Sequence, residues 1–157
     1  AVATESSLAR IVQEFDSVAF CLSKGLGAPV GSLLCGPTDF IHRARRMRKM
    51  LGGGMRQAGY LAAAGLYALE HNIDRLAEDH RRARRLAEGL RGLGLKAPPP
   101  ATNMVYFDIP DAAQAAESVG EQGIQLLAVG PHTIRAVTHL DVDDSGVEAA
   151  IAAFASL

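Results

Sequence analysis

Residues 17–35 read SVAFCLSKGLGAPVGSLLC. Two short, nearly continuous apolar runs, Ser17 to Ser23 and Gly31 to Cys35, flank a connection made almost entirely of small residues. Apolar runs of this length without polar alternation suit strands covered on both faces. The connection, Gly25-Leu26-Gly27-Ala28-Pro29, has the composition of a tight turn. Lys24 is the last residue before it. A lysine tethered at a strand end, with little bulk beside it, has room for a flat aromatic group next to its amine. Partial desolvation there would favour the neutral, nucleophilic amine. The plainer reading of the same spacing is a surface lysine in a hairpin.

Downstream, Pro37 and Thr38 open a helix, with Thr38 as its cap and Asp39 in the first turn. The helix runs through FIHRARRMRKML and stops at Gly52-Gly53-Gly54. A second helix is expected over residues 55–71, rich in Ala and Gly, and a third over 73–93 beyond an Asn72-Ile73 junction. Residues 6–14 read as a short helix ending. The segment 45–57, RRMRKMLGGGMRQ, gathers cations before a glycine stop and a helix start. Flexible cations and the amides of a helix N-terminus together suit a phosphate. An amphipathic helix with a solvated basic face explains the pattern equally well.

After Gly94 and Pro98-Pro99-Pro100 the rhythm changes. Residues 104–109 read as a strand and 112–122 as a helix. Residues 124–128 and 133–137 read as a strand pair around Gly130-Pro131. Residues 145–157 read as a closing helix, with Ser145 as cap and Glu148 completing a capping box. This β-α-β-β-α order is a small α+β unit, so the chain divides near residue 75.

The 157 residues are 48% hydrophobic and 21% charged, with a net charge of −1. That composition excludes a disordered chain and gives no bulk electrostatic case for nucleic acid or membrane surface. No apolar run approaches the roughly 18 residues of a spanning helix. The start, AVATESSLAR, has neither an initiator Met nor a basic segment leading into an apolar one. The expectation is a processed or truncated start without a signal peptide. Cys21 and Cys35 are expected to be reduced and packed, as in a cytoplasmic protein. His42, His71, His80 and His132 read as solvated, and no spacing suggests a metal site.

Residues 16–36, DSVAFCLSKGLGAPVGSLLCG, taken with 45–69, RRMRKMLGGGMRQAGYLAAAGLYAL, resemble the low-specificity L-threonine aldolases. The resemblance continues through IDRLAEDHRRARRLAEGL to TNMVYFDI and IRAVTHLDV. It implies an α/β chain of the fold type I pyridoxal-phosphate enzymes. Residues 1–75 would end the large cofactor-binding domain, and 76–157 would form the small C-terminal α+β domain. It implies that Lys24 bonds covalently to the cofactor, and that Lys49 and Arg56 approach the cofactor phosphate from a neighbouring subunit. Arg135 would hold the substrate α-carboxylate. His139 and Asp141 are expected to serve in structural hydrogen bonding. The family's pyridinium-binding aspartate, stacking histidine and first phosphate loop have no counterpart here, so the chain reads as the C-terminal half of such an enzyme. The implied activity is cleavage of L-threonine or L-allo-threonine to glycine and an aldehyde by a homodimer or homotetramer with shared sites. A phenylserine aldolase, a β-eliminating lyase and a non-catalytic fragment are the alternatives.

Overall fold

The computed structural model describes residues 1–157, which form two compact units, Ala1–Arg75 and Leu76–Leu157.

The first unit opens with a 3₁₀ turn, Val2–Thr4, and a short helix α1, Leu8–Val12, whose Arg10 amide donates to the Ser7 hydroxyl. Strands β1 (Val18–Cys21) and β2 (Ser32–Cys35) pair antiparallel, Val18 opposite Cys35 and Cys21 opposite Ser32. Helices α2 (Thr38–Met50) and α3 (Gly59–His71) follow. Pro37, not Thr38, caps α2, and no side chain bonds its first turn. Helix α3 starts four residues later than the periodicity suggests. Gln57 adopts a left-handed φ of 52°, which interrupts the helical path.

The hairpin departs from the sequence expectation. All of β1 except Val18, and all of β2, are exposed. Cys21 and Cys35 are free and exposed rather than packed. Apolar composition records that a strand is suited to cover, and no element of this unit supplies that cover. The buried apolar residues of the unit are Leu22, Ala28 and Ala68, with Leu26 and Leu69 packed against them.

The second unit begins with helix α4 (Leu76–Gly92), three residues after the expected start because 73–75 form a turn. Strands β3 (Met104–Asp108), β4 (Leu127–Ala128) and β5 (Thr133–Val137) make an antiparallel sheet in the order β3-β5-β4. Helix α5 (Ala112–Gly120) lies between β3 and β4 in sequence, and α6 (Asp144–Ala155) closes the chain. Period-two alternation sends Val105, Phe107, Ile134 and Ala136 into the core. They meet Leu86, Leu90, Val119, Val147 and Phe154 from the helices, with Phe107 and Phe154 edge to face at 5.1 Å. Helices α4 and α6 approach closely at Gly89, where an added Cβ would stand 2.3 Å from Ile151 Cδ1.

Two expectations for this unit are corrected. Asp143, not Ser145, caps α6, accepting from the Gly146 amide at 2.8 Å. Ser145 instead donates to Asp143, and Glu148 forms a two-pronged pair with Arg85 rather than a capping box. The two-residue offset follows from Asp143 being an equally good cap one turn edge earlier. His80 is buried rather than solvated, because α4 turns that position toward the unit's interior. Burial holds its imidazole below the ordinary value, the Arg84 charge adds to this, and Asp79 opposes it.

No helix is long and apolar enough to cross a membrane. No group of three or more His, Cys, Asp or Glu side chains is placed to hold a metal ion.

Candidate active site

Lys24 sits in the bend that follows β1, and its side chain is exposed. The turn is built by three backbone bonds. Gly27 N–H donates to the Lys24 carbonyl at 2.8 Å, Ala28 N–H to Leu22 at 3.0 Å, and Leu22 N–H to Gly31 at 2.9 Å. Gly27 has φ 72°, a conformation that explains a glycine there.

Helix α3 fixes this turn on both sides. Leu22, two residues before the lysine, packs between Gly31 and Gly65. A Cβ on Gly65 would stand 3.0 Å from Leu22 Cδ1. Two residues after the lysine, the Leu26 carbonyl accepts a 2.7 Å bond from the Asn72 side-chain amide. In the sequence Gly65 belongs to an Ala- and Gly-rich helix and Asn72 to a junction. Their roles are long-range, and the only local signal was an Asn at the end of a helical pattern. The Lys24 amine itself makes no hydrogen bond or ion pair, so a primary amine is presented free from an anchored backbone.

Lys49 and Arg56 flank the triple glycine, both exposed and without an ion pair. The glycine amides are already engaged. Gly52 N–H donates to Lys49, Gly53 to Arg48 at 2.8 Å, and Gly54 to Gly52 at 2.9 Å. The expected contribution of backbone amides to an anion site therefore does not come from the glycines. The cations are the donors this segment has to offer. Lys49 folds back over the loop, so that a Cβ on Gly54 would lie 2.8 Å from its Nζ.

Arg135 lies in the second unit, in the middle of β5, with Tyr106 opposite it on β3 and Leu127 on β4. All three belong to the sheet face that looks away from the helices. Its neighbours there, Met104, Tyr106 and Leu127, are exposed. Arg135 Nε is buried and has no hydrogen-bond partner. An orphaned donor of this kind calls for an acceptor, and a guanidinium suits a carboxylate. Just beyond, Thr138 and Asn103 hold β5 to β3. Thr138 N–H donates to Asn103 O at 3.0 Å and Asn103 Nδ2 returns to Thr138 O at 2.8 Å. His139 Nδ1 accepts from the Asp141 amide at 3.3 Å, a local turn contact.

The structure thus places Lys24, Lys49 and Arg56 in one unit and Arg135 in the other. No bond joins any of them to another. The charge around them is uneven. Helix α2 carries Arg43, Arg45, Arg46, Arg48 and Lys49 without a salt bridge, whereas Arg81, Arg82 and Arg85 of α4 are paired with Asp144 and Glu148. In the first unit, an unpaired primary amine and unpaired cations suit an aldehyde and a phosphate, the groups that pyridoxal phosphate carries. In the second unit, the orphaned guanidinium suits a carboxylate.

Comparison with known proteins identifies the fold and the family. A Sphingomonas wittichii serine palmitoyltransferase structure, 21% identical, matches 94% of this chain and 41% of its own, with a TM-score of 0.76. The fold is that of the fold type I pyridoxal-phosphate enzymes. Residues 1–112 match the family model described as beta-eliminating lyase, and the chain belongs to that family. Among curated relatives, a low specificity L-threonine aldolase of Escherichia coli K12 is 49% identical over 141 residues, 90% of this chain and 42% of that protein. A low-specificity L-threonine aldolase 1 of Arabidopsis thaliana is 42% identical over 153 residues, 92% of this chain and 43% of that protein. The chain therefore spans about two fifths of the length of these relatives.

Proposed function

We propose that the protein carrying this chain is a pyridoxal-phosphate-dependent aldehyde-lyase. It cleaves L-threonine or L-allo-threonine, and related β-hydroxy-α-amino acids, to glycine and an aldehyde. The observation that carries this reading is 42–49% identity over nine tenths of the chain to proteins named for that activity. The donor set described above is chemically matched to it. Lys24 supplies the primary amine that holds the cofactor through its aldehyde carbon. Lys49 and Arg56 neutralise the phosphate, and Arg135 holds the substrate α-carboxylate through its planar fork.

When bound, the pyridoxal ring supplies the electron sink for the pair left on Cα. The balance of the reaction is simple. The β-hydroxyl loses its proton as Cα–Cβ breaks, the aldehyde leaves, and Cα gains a proton to give glycine. Arg135 orients the substrate by its carboxylate, which sets the bond to Cβ relative to the ring. Orientation of this kind can supply about 7–11 kcal/mol of a barrier.

The reading includes assembly. Leu51, Met55, Tyr60 and Tyr67, around the Lys49–Arg56 segment, are exposed apolar side chains suited to cover by a neighbouring subunit. A homodimer or homotetramer sharing its sites, in the cytoplasm, accommodates this. Residues 1–75 then belong to the large domain and 76–157 to the small one, with the ring-nitrogen partner and the ring-stacking group supplied by the remainder of the enzyme. This chain alone is expected to show no turnover.

The test is glycine and acetaldehyde release from L-threonine by the full protein, with Lys24→Ala abolishing both turnover and the visible absorbance of lysine-bound cofactor. The family's description favours one second reading, β-elimination. Release of a keto acid and ammonia in place of glycine and aldehyde would establish it.

A further inference from the structure

We infer that Gly54 is a positioning residue for Lys49: the missing side chain at 54 is the space in which the Lys49 ammonium is held. This rests on the reading that Lys49 meets the cofactor phosphate.

The three glycines are glycine for different reasons. Gly52 has φ 90°, which its own backbone conformation explains. At Gly53 a Cβ would stand 2.7 Å from Arg48 Cγ and 3.0 Å from the Arg48 carbonyl oxygen, so the helix C-terminus itself excludes it. Gly54 differs from both. Its φ lies outside the left-handed region, and its N–H bond to Gly52 is one that any residue but proline makes. The three atoms nearest a Cβ there all belong to Lys49: Cδ at 2.7 Å, Nζ at 2.8 Å and Cε at 3.3 Å. These are the far atoms of a flexible side chain. An alanine at 54 therefore leaves the backbone in place and displaces the ammonium.

No attraction opposes that displacement. Arg45, one turn before Lys49, and Arg46 and Arg48 beside it are all unpaired. Like charges at i,i+4 repel, and no acidic partner holds Lys49 back. Without the space at Gly54, the ammonium leaves its place over the loop that leads to Arg56. The glycine thus keeps Lys49 over that loop, where a phosphate dianion can meet both cations.

The experiment compares pyridoxal phosphate with pyridoxal, which lacks the phosphate, as ligands of the cofactor-free full protein. Affinities are read from absorbance, with thermal unfolding in parallel. Gly54→Ala is expected to lower the ratio of the two affinities about tenfold, the scale of one charge-assisted hydrogen bond. Pyridoxal affinity and the unfolding temperature should be unchanged. Lys49→Met should lower the ratio equally, and adding Gly54→Ala to it should do nothing more. A fall with Lys49→Met but not with Gly54→Ala overturns the inference and leaves the phosphate reading intact. No fall with Lys49→Met overturns the phosphate reading, and the inference with it. An equal loss of both ligands in Gly54→Ala, a protein that fails to fold, or a further fall in the double variant shows that the Cβ disturbs more than Lys49, and also overturns it.

Discussion

The Asn72 side-chain amide donates to the Leu26 carbonyl at 2.7 Å, across 46 residues of sequence. This bond ties the end of α3 to the turn that carries Lys24. With Leu22 seated against Gly65, it means that both sides of the lysine are registered against one helix. The role proposed for Lys24 needs a fixed backbone, since a displacement of about 1 Å costs orders of magnitude in rate.

Asn72→Ala is therefore expected to act locally. A hydrogen bond of this kind contributes about 0.5–1.5 kcal/mol, and the bonds within the turn remain. Amide hydrogen exchange at Gly27 and Ala28 should speed up, while amides in the second unit keep their protection. Unchanged exchange at Gly27 and Ala28 would show that the turn holds itself and that Asn72 is incidental.

Gly89 poses a competition between local propensity and packing. Alanine in mid-helix gains about 0.5–1 kcal/mol over glycine. Here the new methyl would stand 2.3 Å from Ile151 Cδ1 and 2.6 Å from Cγ1, at the crossing of α4 and α6. Overpacking of this kind costs about 1–3 kcal/mol, so Gly89→Ala should lower stability in urea unfolding. Adding Ile151→Val should recover part of the loss. A stabilised Gly89→Ala would mean that α6 moves away freely.

Much of this was legible in the sequence, and the limits have identifiable causes. The family showed in SKGLGAPVGS and LGGGMRQ because these segments pair a chemical residue with glycines that few other contexts demand. The α+β alternation of residues 104–137 gave three strands and α5, since period two and period 3.6 are local signals. Helix caps were less legible: Asp143, Asp144 and Ser145 are all good caps, and only the structure selects Asp143. His80 looked solvated because its neighbours in EDHRRARR are charged, yet the helix turns it inward. The exposure of Phe20, Leu33 and Leu34 was not legible either. An apolar run reports what a strand is suited to touch, not whether the same chain provides it.

Acid should destabilise the second unit in two separate steps. His80 titrates below its ordinary value of 6.5, through burial first and the Arg84 charge second. The unfolded chain thus takes up the proton earlier, so the His80 contribution is full above about 6.5 and declines as pH falls below it. Asp144 is held below its ordinary 3.8 by hydrogen bonds from Arg82 and then Arg81. Its contribution is present above 3.8 and is lost as pH falls through its lowered folded value. His80→Gln should flatten the upper part of the stability curve only, and Asp144→Asn the lower part only. A single shared slope, moved by neither substitution, would count against both assignments.

The two units should differ sharply when separated. Residues 76–157 bury a contiguous apolar core, including Leu90, Val105, Phe107, Val119 and Ile134 at 0–1% exposure. Burying one side chain of this size is worth about 1.5–3 kcal/mol, and this unit buries five of them almost completely. Polar bonds within the unit add to this: Thr138 Oγ1 donates to the Asp79 carbonyl at 2.7 Å, and Asn103 and Thr138 bond reciprocally. Residues 1–75 bury Leu22, Ala28 and Ala68, two of them alanines. They leave Leu8, Phe15, Met50, Leu51, Met55 and Tyr60 exposed. That burial is far smaller than in the second unit. Expressed separately, 76–157 is expected to unfold cooperatively on heating, with disperse amide proton resonances. Residues 1–75 are expected to bind hydrophobic dye, show no cooperative transition and aggregate at moderate concentration. Folding of 1–75 on its own, with a sharp transition, would show that its exposed apolar surface is not awaiting cover, and would remove the structural support for placing Lys24, Lys49 and Arg56 in a larger assembled site.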